Sequence, residues 1–83
     1  MEKLAIYKLD PSSQEDLIAY LTRLQYRIGE ENRLGDRAIY DKDNHHIGTI
    51  IRRDQFFGGK PTEEIDIQTF NRNLEKVLDE FMG

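Results

Sequence analysis

The sequence predicts an α+β fold: strand, helix, strand, strand, helix, with a small antiparallel sheet of three or four strands and two helices packed on one face. Three observations predict it. Apolar residues recur at helical spacing in two separate stretches, Leu17, Ile18, Leu21, Leu24 and Ile28, then Phe70, Leu74, Val77, Leu78 and Phe81. Between them, residues 37–41 and 46–53 are rich in β-branched and aromatic side chains and flank a turn-forming Lys42-Asp43-Asn44-His45. Two amphipathic helices each need an apolar wall, and a sheet with one buried face supplies it.

The first strand spans residues 3–9 and is closed by Asp10-Pro11, because proline fixes its own backbone and restricts the residue before it. Helix one starts at a capping box, Ser12-Ser13-Gln14-Glu15, with Ser12 as the cap and Glu15 reaching back. Asp16 adds a second carboxylate where the helix dipole favours it, and Gly29 is the expected stop. The polar segment 30–36 reads as a loop. Asp and Asn tolerate left-handed backbone, so a tight hairpin joins residues 37–41 to 46–53. Its register is open. Pairing Tyr40 with Ile47 gives one face Ala38, Tyr40, Ile47, Thr49 and Ile51, whereas pairing Ile39 with Ile47 gives it Ile39, Ile47, Thr49 and Ile51. Residues 55–61 read as a glycine-rich bend, residues 63–67 as a short edge strand or the lead-in to helix two, and Asp66 as that helix's cap.

With 83 residues, one thin-cored domain spanning residues 1–83 is expected, and no linker, repeat or low-complexity tract divides it. The absence of cysteine removes disulfides, thiolate metal sites and thiol catalysis together. The apolar run Leu4-Ala5-Ile6-Tyr7 is too short for a signal sequence, and no stretch approaches a membrane span, so a cytoplasmic location without membrane association is expected.

The net charge of −4 is unevenly distributed: residues 1–32 carry −2, residues 33–60 carry +2 and residues 61–83 carry −4. An acidic total argues against a general nucleic-acid binder, which needs clustered cations to meet phosphates. The order of elements is similar to that of small RNA-binding folds, but the residues do not meet their requirements. A double-stranded-RNA-binding domain needs a lysine-rich start to its last helix, and Asp66-Ile67-Gln68-Thr69 is acidic; a KH loop needs GXXG, and Gly29-Glu30-Glu31-Asn32 lacks the second glycine.

Candidate chemistry is sparse. His45 and His46 lie near Asp41 and Asp43; on a strand adjacent residues face opposite ways and the two histidines cannot share one ion, whereas in the turn they would form only an exposed, weak site. Gly58-Gly59-Lys60 departs from a phosphate loop, with Asp54 and Pro61 where Gly and Ser or Thr would be required. The carboxylate pairs Glu15-Asp16, Glu30-Glu31 and Glu63-Glu64 sit in polar stretches rather than in a desolvated cleft. No catalytic residue, metal site or cofactor is expected. What remains is the local reversal of charge: Arg37, Arg52, Arg53 and Lys60 with Phe56 and Phe57, residue types that serve as interface anchors. They predict a non-catalytic module that binds a protein partner through this hairpin and loop or through the open sheet face. Weak nucleic-acid binding through Arg37, Arg52, Arg53 and Lys60 is the second expectation, and a homodimer acting as a structural subunit is the third.

Overall fold

The computed structural model describes residues 3–57 and 60–83, with the side chains of 53–57 and 60–62 outside the description. The order of elements is β1 (Ala5–Leu9), a 3₁₀ turn (Pro11–Ser13), α1 (Gln14–Arg23), β2 (Arg27–Ile28), β3 (Arg37–Tyr40), β4 (His46–Phe57), β5 (Lys60–Thr69) and α2 (Arg72–Met82). The α+β class holds, but the sheet has five strands, in the order β1-β5-β4-β3-β2, with every neighbouring pair antiparallel.

The two additional strands arise where the helical pattern was read too far. Helix α1 stops at Arg23, well before Gly29. Gln25 takes a left-handed conformation (φ 74°), Gln25 N–H donates to the Thr22 carbonyl and Tyr26 N–H to the Leu21 carbonyl, both at 3.0 Å. This is the Schellman arrangement with glutamine where glycine is usual, so composition gives no stop signal. Ile28 leaves the helical stripe to pair with Ile39 in β2. At the other end, Asp66 lies within β5 and not at the start of α2. Ile65, Ile67 and Thr69 alternate on β5, and α2 starts only at Arg72, where the Asn71 side chain accepts from Leu74 N–H at 2.9 Å. Residues 65–67 therefore belong to a strand flanked on both sides, while 63 and 64 continue the same strand beyond the end of β1. The start of α1 also differs. Asp10 caps the 3₁₀ turn by accepting from Ser12 N–H (3.0 Å) and Ser12 Oγ (2.9 Å), Pro11 takes the first position, and Ser13 precedes α1 without a side-chain cap bond.

Neither of the two registers is adopted. Ile39 pairs with Gly48 and Tyr40 with His46, so Ile47 is an extra residue at a β-bulge. The core face carries Ile39, Ile50, Ile65, Ile67 and Leu9, which join Leu17 and Leu21 of α1 and Leu74 and Leu78 of α2 in one buried cluster. Thr49 and Ile51 lie on the opposite face. Gly48 lets α2 come close, because a Cβ there would sit 2.9 Å from Leu74 Cδ2 and 3.0 Å from the Gln68 carbonyl. Tyr7 ties β1 to α2, its hydroxyl donating to Asp79 Oδ1 at 3.0 Å, and Tyr20 meets Phe81 with ring centroids 5.4 Å apart.

One bond sets which way every strand turns its backbone groups. Gly29 N–H donates to the Ala38 carbonyl (2.8 Å), so Ala38 faces β2 and Ile39 faces β4. Carried through the register, Gly48 and Ile50 face β3, while Thr69, Ile67 and Ile65 face Ala5, Tyr7 and Leu9 of β1. The backbone groups of Ile6 and Lys8 then point away from the sheet. The same alternation places the nitrogen of Pro61, which has no hydrogen, on the side away from β4.

Two outcomes follow. Gly48→Ala should cost about 1–3 kcal/mol in urea unfolding, since the added carbon meets a core leucine and a strand carbonyl. Tyr7 is pushed up from 10.0 to about 12, first by burial and then by its bond to Asp79, so its neutral form is favoured in the fold. Its contribution is fully present below pH 10 and is lost as pH rises toward 12; Tyr7→Phe should flatten that part of the stability–pH curve.

Candidate functional site

The β4–β5 ladder runs from Gly48–Thr69 to Phe57–Lys60, whereas β3 leaves β4 at the Arg37–Ile50 pair and β1 leaves β5 at Leu9–Ile65. From Arg53–Glu64 to Phe57–Lys60 the two strands continue as a ribbon with no flanking strand among the described residues. Five rungs extend it by roughly 15 Å. The expected bend over 55–61 is thus mostly strand, and β4 continues to Phe57. Pro61 blunts the outer edge of β5, while the outer edge of β4 at Asp54 and Phe56 keeps its backbone donors and acceptors.

At the root of the ribbon Arg52 forms an ion pair with Glu63 across the strands and lies 3.9 Å from Glu31 Oε1. The loop 29–36 is shaped beside it. Asn32 Oδ1 accepts from Leu34 N–H and Asp36 N–H, both at 2.9 Å, and Gly35 (φ 85°) turns the chain against Arg52. Glu31, Arg33, Leu34, Gly35 and Arg52 enclose a polar recess of about 280 Å³, above which Leu34 stands 77% exposed. Leu34 went unnoticed in the sequence, although the Asn32–Gly35 spacing signals a built turn.

The cations singled out in the sequence are not gathered into one patch. Arg37 donates through Nε to the Gly29 carbonyl at 2.9 Å and is half-buried, and Arg52 is engaged by two glutamates. Arg53, Phe56, Phe57 and Lys60 lie on the ribbon strands, paired with Glu64, Pro61, Lys60 and Phe57 respectively, and their side chains lie outside the described residues.

The histidines separate as their adjacency requires. His45 stays in the turn, Nδ1 3.3 Å from Asp41 Oδ2, with donor atoms of Asp41, Asp43 and His45 within 4.8 Å of one another. His46 turns to the opposite sheet face, 3.1 Å from Thr49 Oγ1 and beside the Tyr40 ring, which also carries Arg27 at 4.2 Å. Asp41 is organised for the turn: its Oδ1 accepts from Asp43 N–H and His45 N–H, both at 2.9 Å. The bond from the His45 backbone is the main reason its carboxyl is held below the ordinary 3.8. A second recess, about 430 Å³, opens between Leu4, His46, Thr49, Gln68 and Phe70.

No protein-family model matches the chain, and no curated protein or solved structure matches it either. The class that the coordinates define is an α+β protein with a five-stranded antiparallel sheet, two helices and a projecting β ribbon. Among the described residues, no helix is long and apolar enough to cross a membrane.

Asp41 gives the hairpin a pH signature. A depressed carboxyl contributes stability above pH 3.8 that is lost as pH falls below it. The protection factors of the Asp43 and His45 amides should therefore fall below that pH, and Asp41→Ala should remove the protection already at neutral pH.

Proposed function

We propose that this protein is a small non-catalytic protein–protein interaction module that engages its partner with the projecting β4–β5 ribbon. The observation that carries the reading is the length of the ladder: five rungs, bearing Arg53, Phe56, Phe57 and Lys60, extend beyond both flanking strands. A two-stranded ribbon alone is marginal in water, and a long ribbon kept on a small fold gains stability from whatever it docks against. Its two margins are unequal. Proline blunts β5, and the outer edge of β4 at Asp54 and Phe56 is the side on which a partner strand can add backbone hydrogen bonds.

The disposition of the cations favours a protein partner over nucleic acid. Of the four cations expected to meet phosphates, Arg37 and Arg52 are held by groups of their own chain, and the acidic total opposes a polyanion. Arg52, Glu63, Glu31 and the exposed Leu34 form the foot of the ribbon and extend the proposed contact surface onto the described part of the fold.

Co-purification with an Arg53→Glu, Phe57→Ser double variant tests this. A partner retained by the wild type should be lost by about tenfold or more with the variant, compared at a temperature where thermal unfolding shows both proteins folded. Retention of the same partners by both proteins would remove the ribbon from the interface. Salt-dependent binding of short oligonucleotides at tens of micromolar, abolished by the same variant, would move the assignment to nucleic acid.

A further inference from the structure

We infer that the free edge of β1 is a self-association edge, pairing antiparallel with β1 of a second copy of this chain across a two-fold axis at Ile6. β1 closes one end of the sheet, and its other neighbour is only β5. The hydrogen-bond alternation turns the backbone groups of Ile6 and Lys8, and by continuation Leu4, outward. Natural sheet edges are usually protected by proline, a bulge or an inward charge. Residues 3–9 have no proline and the β1–β5 register is unbroken, so the charges of Lys3 and Lys8 are the protection this edge carries. The side chains beside this edge are apolar and exposed, Ile6 at 55% and Leu4 at 41%.

The occupant is identified by how well the edge complements itself. A two-fold at Ile6 sets Ile6 against Ile6, Ala5 against Tyr7 and Leu4 against Lys8 of the other copy, so no two like charges lie opposite each other. The aliphatic stem of Lys8 covers Leu4 while its ammonium reaches water. On the helix side, Lys3 of the second copy falls diagonally across from Tyr7, whose hydroxyl holds the Asp79 carboxylate. The pairing therefore brings a cation toward an anion at both ends of the seam. Residues 4, 6 and 8 of each copy exchange backbone bonds, and two five-stranded sheets become one of ten. This edge is distinct from the ribbon and does not depend on the ribbon's partner.

Sedimentation velocity and a cysteine placed at the axis test the inference together. The wild type should sediment as a dimer at about 100 µM, with a micromolar dissociation constant. Ile6→Pro removes only an outward-facing N–H, and Ile6→Lys sets two ammonium groups face to face; each should weaken the dimer at least about tenfold. Because the chain has no cysteine, Ile6→Cys gives a clean readout. Paired residues at the axis sit about 5.5 Å apart, within disulfide reach, so Ile6→Cys should oxidise to a covalent dimer. Leu4→Cys, four residues from its own copy and roughly 13 Å away, should not. A wild type that remains monomeric at that concentration overturns the inference, as does a dimer indifferent to both Ile6 variants. Cross-linking through position 4 but not position 6 overturns it as well.

Discussion

The close approach of α2 to the sheet at Gly48 is the constraint from which the rest of the arrangement follows. Leu74 lies where a side chain at position 48 would be, and the chain around it is tied into one relay. Thr69 Oγ1 donates to the carbonyl of the bulged residue Ile47 at 2.5 Å and accepts from Asn71 N–H at 3.0 Å; Asn71 in turn caps α2 through Leu74 N–H. The bulge, the end of β5 and the first turn of α2 therefore share a single set of bonds. Moving any one of them by a residue would strand a buried carbonyl or a helix N–H, at a cost of about 1–3 kcal/mol for each group left without a partner. That relay fixes the β4–β5 register, and the register in turn decides which residues reach the core and which run on into the ribbon.

How much of this was legible depends on which physical signal a residue carries. The amphipathic stretches at Leu17–Leu21 and Leu74–Leu78 stated the helices, since a buried stripe at helical spacing has few other solutions. The turn at Lys42–His45 was equally plain, because Asp and Asn tolerate a left-handed backbone and Asn44 takes one, φ 70°, whereas the bonds by which Asp41 holds the turn carry no such signal. The stop of α1 was hidden, because Gln25 occupies a position where glycine would have announced itself. The register was hidden for a different reason. A bulge inserts one residue, and neither pairing considered for Ile47 allowed for a residue that pairs with nothing. Once Ile47 is taken out of the count, the alternation Gly48, Ile50 and Ile65, Ile67 falls on one face.

The candidate site was legible in composition and not in geometry. Arg52 and Arg53 read as strand and Phe56 and Phe57 as part of a bend, whereas the backbone keeps pairing to Phe57 and resumes at Lys60. Length decides the difference. A bend would bring these residues back over the sheet, while a ribbon carries them away from it. The loop 29–36 was read only as polar. Its content is the Asn32 side chain, which takes two backbone N–H groups and so holds Leu34 in water in a defined position. A backbone already ordered around an exposed apolar side chain leaves less to be immobilised on docking, which is how preorganisation adds to affinity.

The two proposed contact edges lie on different strands, and their separation has a consequence for binding. β1 ends the sheet on one side, while the ribbon leaves from β4 and β5 beyond the last contacts of β1 and β3. A partner on the outer edge of β4 would leave β1 free, and a second copy on β1 would leave the ribbon free. Two chains joined through β1 would therefore present two ribbons related by the same two-fold axis. For a partner that is itself dimeric or repeated, the second ribbon would bind as an intramolecular event, with an effective concentration set by the rigid spacing of the sheet rather than by a flexible linker. A weak contact through a short strand edge and a few side chains would then suffice for stable association. This would allow a chain with nine buried apolar side chains among its described residues to serve as a binding protein without a larger interface of its own.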